Sequence, residues 1–279
     1  MRLVLIFFGL WFGLSQAQAA APASNDVDAL LRASGMQAQI DQIPGALHTA
    51  GQQQSGLGAG IVRPLVEALS TVFNPAEMQR MMRVEIIKQL DTPTLVEAMT
   101  WYNSPEAQSI LAAEQRLFEP EVMDRIAAAM EAQSVPSLTP KRRELLLQVD
   151  QATNATDAAL DMMMNMQAAF LTAFSHLLMP DQASEFNATL ESFAGTRSQY
   201  KKLIQEQLLL QQAVLMEPVS DAALEHFRDF ARTDAGHKTL QAMNGALNTT
   251  VRTMAQRIPE AMTQEEKSRQ APVPVPKSQ

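Results

Sequence analysis

The stretch Asp91-Thr92-Pro93-Thr94-Leu95-Val96-Glu97-Ala98-Met99-Thr100-Trp101-Tyr102-Asn103-Ser104-Pro105-Glu106-Ala107-Gln108 decides how this chain is read. Asp91 stands ahead of a first-turn proline, and Ser104-Pro105 repeats that chemistry further on. A short oxygen-bearing side chain before Pro is a helix start, because it accepts from free backbone N–H groups where Pro lacks one. Between the two starts lies a short amphipathic run that closes on Trp101. The spacing predicts a helical hairpin: the aromatic packs onto the second helix while the Ser104 cap satisfies N–H groups at the turn.

The same grammar recurs outward in both directions. Asn74-Pro75-Ala76-Glu77, Thr139-Pro140, Met179-Pro180-Asp181, Ser220-Asp221 and Thr233-Asp234 all read as helix starts. Apolar residues recur at three and four, as in Leu111, Phe118, Val122, Ile126 and Met130, in Leu203, Leu210 and Val214, and in Phe170, Phe174 and Leu177. Pro120 falls inside the first of these runs and should kink or divide it. No β-branched alternation and no Asn-Gly or Asp-Gly turn between apolar runs suggests a strand. The expectation is an all-α chain.

A weak internal duplication organises it. At an offset of 129, Leu95 matches Leu224, Trp101 matches Phe230, Ser104 matches Thr233 and Leu111 matches Leu240. More loosely, Leu30-Leu31 resembles Leu146-Leu147 at an offset of 116. The expected organisation is a signal peptide at 1–19, a first helical module at 20–137, a related second module at 138–262 and a disordered Pro-rich tail at 263–279. The modules meet at Ser134-Val135-Pro136-Ser137, and Gly51 to Gly60 reads as a flexible loop.

Trp101-Tyr102-Asn103-Ser104-Pro105-Glu106-Ala107-Gln108 resembles the aromatic-Tyr-x-Ser-Pro-x-Gly-Gln signature of domain of unknown function 2059, a family of secreted helical bacterial proteins. Ala107 replaces the usual Gly. The second copy keeps Phe230, Thr233 and Gly236 but has Ala231 for Tyr, Asp234 for Pro and His237 for Gln. The resemblance implies two tandem copies. It carries no catalytic residue across, because the family has no established activity. Trp101, Tyr102, Ser104, Pro105, Gln108, Phe230, Thr233 and Gly236 are expected to be structural.

The first residues direct export. Arg2, an apolar run from Leu3 to Leu14 and the small residues Ala17 and Ala19 form the layout of a secretory leader cleaved after Ala19. Ala19 and Ala21 offer a second site. The run is shorter than a membrane span needs, and the expected location is the periplasm. Hydrophobic residues make up 46%, charged residues 19%, and there is no cysteine, which excludes disulfide scaffolds and thiolate metal sites. The net charge of −8 disfavours nucleic acid, whose binding rests on neutralising phosphates. Lys141-Arg142-Arg143 reads as a solvated first helical turn.

Candidate chemistry is sparse. His48, His176, His226 and His237 form no metal-ligand spacing, although His226 and His237 fall on successive helices of one hairpin. Met162, Met163, Met164 and Met166, with Met78, Met81 and Met82, suit an adaptable core or partner surface better than a Cu(I) site. No nucleophile motif or phosphate loop is present, and Gly56 to Gly60 lacks the Lys-Ser/Thr pair. Asn154, Asn187 and Asn248 open incidental glycosylation patterns. No cofactor is expected. The expected function is a non-enzymatic module that binds a protein partner; the alternative is a carrier of a small molecule or lipid in an apolar groove between helices.

Overall fold

The computed structural model describes residues 20–53, 66–165 and 197–270. The leader, the glycines from Gly56 to Gly60, the Phe170–Leu177 stripe, Met166, His176, the Met179-Pro180 start, Asn187 and the last nine residues lie outside them, as does the His48 side chain. Among the described residues all regular structure is helical and no strand occurs.

The helices in chain order are α1 (Ser24–Ala33), α2 (Met36–Gln53), α3 (66–72), α4 (Pro75–Gln89), α5 (Thr92–Tyr102), α6 (Pro105–Gln115), α7 (Pro120–Ala132), α8 (Pro140–Thr153), α9 (155–165), α10 (Arg197–Leu215), α11 (Asp221–Arg232), α12 (Asp234–Ala255) and α13 (Ile258–Gln270). The starts lie where the caps put them. Asn74, Asp91, Ser104, Thr139, Ser220 and Thr233 each accept from the backbone N–H three residues on. Pro120 divides its run: a 3₁₀ turn at Arg116–Phe118 and an extended Glu119 separate α6 from α7.

Three local expectations change. Helix α2 continues through Gln53, so the first residues of the expected glycine-rich loop are helical. Helix α13 runs to Gln270, so 263–270 are not an extended tail; their Gln, Glu and Lys residues are good helix formers. Leu203 is 53% exposed while Ile204 is buried, so the inward stripe of α10 runs through Ile204, Leu209 and Ala213.

Two cores form, and neither follows the division at 137/138. One joins α1–α5 to the far half of α12 and to Ile258, around Leu30, Met78, Met82, Ile86, Ala246 and Met254. The other joins α6 and α7 to α8, α10 and α11, around Val122, Ile126, Leu146, Val214 and Leu224. Val135, in the segment expected to separate modules, is buried in this second core. The arrangement is reciprocal. Helix α12 packs on α4 and α5, while α6 packs on α11 and α7 packs on α10. Each half's long arm therefore completes the other half's core.

Candidate functional site

The two hairpin turns meet through their aromatic side chains. Trp101 stacks on Phe230, its match at the 129 offset, with centroids 5.1 Å apart and planes 14° from parallel. It also stacks on Phe227 at 5.8 Å and 4°. Tyr102 meets Phe230 edge-on at 6.1 Å. Such pairs contribute about 0.5–1.5 kcal/mol each beyond burial.

The other motif positions build the turns. Ser104 Oγ accepts from Ala107 N at 3.2 Å, with Pro105 in the first turn of α6. Gln108 Nε2 donates to the Tyr102 carbonyl at 2.7 Å. Thr233 Oγ1 accepts from Gly236 N at 3.0 Å and donates to the Phe230 carbonyl at 2.8 Å. The second turn is tighter, because Thr233 both ends α11 and caps α12. A Cβ at Gly236 would stand 1.9 Å from the Phe230 carbonyl oxygen. The looser first turn, with Asn103 between α5 and Ser104, has room for Ala107.

Two cavities open between the halves, the smaller of them against Phe227 of this aromatic cluster. The larger, about 470 Å³, is bordered by Met36, Ile40, Ile43 and Phe73 from the first half and by Met162, Leu215, Leu247 and Val251 from the second. The smaller, about 190 Å³, lies among Ile110, Leu146, Leu209, Met216, Leu224 and Phe227. Glu114 and Gln212 border both, so the two spaces share that stretch of wall.

Glu114 is the residue that motif reading missed. Burial pushes its carboxyl up to about 7, because a charge is costly away from water. Among the described residues it accepts no hydrogen bond and pairs with no cation. Among the described residues it is the one ionisable group bordering the larger cavity, beside Gln39, Gln211 and Gln212. Burial, and then the Glu114 charge, push the Tyr102 hydroxyl up as well; that hydroxyl donates to Met243 Sδ at 3.8 Å. Asp150, the other acid on the smaller cavity, is engaged by Thr156 N, Thr156 Oγ1 and Gln205 Nε2.

The remaining candidates fall elsewhere. His226 Nδ1 lies 3.5 Å from Glu106 on an exposed face, whereas His237 borders a polar cleft with Arg232, Asp161 and Asn248. The two histidines are not brought into one site. No group of three His, Cys, Asp or Glu suited to a metal occurs among the described residues. Met78 and Met82 are fully buried core residues, and Met162 packs against the same core. The basic triplet is not simply solvated. Arg142 is 16% exposed, pairs with Asp221, and donates from Nη2 to the Met216 and Val219 carbonyls at 2.6 and 2.8 Å.

Comparisons with family models, with curated proteins and with solved structures each find no match.

Proposed function

We propose that this chain is an exported, non-enzymatic carrier that holds a small apolar or amphiphilic molecule between its two halves. The observation that carries the reading is the larger cavity. Its volume falls within the roughly 300–1,000 Å³ common for ligand sites, and its lining is mostly apolar with a few polar groups. One carboxyl and three glutamine amides suit orientation of a ligand better than proton exchange between two groups. Protein binding, the first expectation from sequence, draws less support. Among the described residues Val84, Val96, Met123 and Leu203 are 45–59% exposed, but they stand on four different helices.

Export is part of the same proposal, resting on the leader-like residues 1–19. Cleavage after Ala19 fits the structure better than cleavage after Ala21. The Ala20 carbonyl accepts from Thr92 N at 3.0 Å and Thr92 Oγ1 at 2.9 Å, and only the first cut keeps those contacts. Among the described residues no helix is long and apolar enough to cross a membrane. We also read the two hairpins as a tandem duplication of the kind the resemblance implies. Its support is the reciprocal packing and the matched caps at Ser104 and Thr233.

The test uses the neutral dye N-phenyl-1-naphthylamine. The protein should raise its emission, and Leu247→Trp, which fills the cavity, should abolish the rise while the helical circular dichroism persists. No uptake by the unmodified protein, or equal uptake by the variant, would contradict the carrier reading.

A further inference from the structure

Glu114 breaks two local rules at once. It follows the buried Ala107, Ile110 and Leu111 at helical spacing on α6 and is itself partly buried, with the cavity opening beside it. It also occupies the last turn of that helix, where the backbone dipole favours a cation over an anion. The residue 129 positions on, at the matching place in α12, is buried Met243. Packing at this position is therefore met by an apolar side chain in the other half, and nothing in the hairpin requires a carboxylate. A carboxylate in apolar surroundings is costly unless a partner arrives. The protein supplies none among the described residues, and the open space beside Glu114 is where one would come from.

We infer that Glu114 anchors the head group of the cargo, and that the cargo is a cationic amphiphile: a protonated primary amine on an apolar chain. This rests on the carrier reading above. The charge complements the carboxylate, and the three N–H donors of an ammonium match Glu114 together with the carbonyls of Gln211 and Gln212. A quaternary ammonium has no donor to offer them. An anionic head group would meet repulsion from ionised Glu114. The chain would lie along Ile40, Ile43, Phe73, Leu247 and Val251. Among the described residues the titratable groups facing Glu114 are Tyr102 and, across the smaller cavity, Asp150. Neither supplies a positive charge, so an amine meets no competitor.

The test compares dodecylamine, dodecanol and dodecanoate as displacers of the neutral dye from the full chain at pH 8, with Glu114→Gln alongside. Dodecylamine should bind at least about tenfold tighter than dodecanol, the scale of one charge-assisted hydrogen bond. Dodecanoate should bind weakest, and Glu114→Gln should bring amine and alcohol to parity. Lowering the pH to 5.5 should weaken the amine and leave the alcohol unchanged. Equal binding of amine and alcohol by the unmodified protein, or preference for dodecanoate, overturns the head-group assignment and leaves the carrier reading standing. Dye uptake with no displacement by any of the three overturns the assignment as well. Absence of dye uptake overturns both. If Glu114→Gln fails to fold, the order of the three ligands on the unmodified protein still decides.

Discussion

Ala107 and Gly236 occupy matching places in the two turns, and the turns treat them differently. Gly236 faces the Phe230 carbonyl so closely that any side chain must displace backbone. Gly236→Ala should cost about 1–3 kcal/mol, whereas Ala107→Gly should cost only about 0.5–1 kcal/mol through lost helix propensity; paired urea denaturation curves check both. Glu114 gives a second residue-scale prediction. Its carboxyl is raised from the ordinary 4.5 to about 7 in the folded chain, so the folded state binds the extra proton. Its favourable contribution is complete below about pH 4.5 and is lost as pH rises through 7, at up to about 1.4 kcal/mol per pH unit. Thermal melts should show Glu114→Gln gaining on the unmodified protein across that window. The residue was legible in the sequence only as a violation: a Glu on the Ala107–Ile110–Leu111 face, in a C-terminal turn. Motif searching passes over such a signal, because a lone carboxylate has no spacing to match.

Among the helices, the caps were legible and the long-range contacts were not. Six oxygen-bearing residues fix six starts, because an N-cap is a local hydrogen bond that sequence specifies directly. Arg142 shows the opposite case. Its guanidinium reaches across from α8 to Asp221 and to the Met216 and Val219 carbonyls, where α10 gives way to α11. Nothing in Lys141-Arg142-Arg143 announces partners that far along the chain. Arg142→Met should destabilise by about 1–3 kcal/mol by leaving carbonyls unpaired. Arg142→Lys should recover little, since one ammonium cannot span three acceptors. Chemical denaturation of the two variants checks this. Asp221, held below the usual carboxylate range mainly by its hydrogen bond from Arg142, contributes stability above its ordinary pKa. That contribution is lost as pH falls further, opposite in sign to Glu114.

At the scale of the molecule, the helix composition made the all-α class legible, but the exchange of arms between halves was not. Periodicity identifies which face of α12 is apolar and leaves open whether α4 or α8 covers it. The Pro-bearing segment at 134–137 resembles a linker by composition, yet Val135 lies in a shared core. Because each core needs helices from both halves, residues 20–137 alone should lack α12 and expose Leu30, Met78 and Ile86. That fragment should show no cooperative melt, and mixing it with 138–279 should restore one. Independent cooperative folding of the fragment would contradict the exchanged arrangement. The exchange also places the cavity, since Ile43 and Phe73 face Leu247 and Val251 only when the arms cross. The most direct measurement is anomalous diffraction from crystals grown with 12-bromododecylamine. A bromine peak within the cavity bordered by Ile43, Phe73, Leu247 and Val251, with the amine nitrogen beside Glu114, is the predicted result. An empty cavity, or a ligand whose nitrogen points away from Glu114, would contradict it.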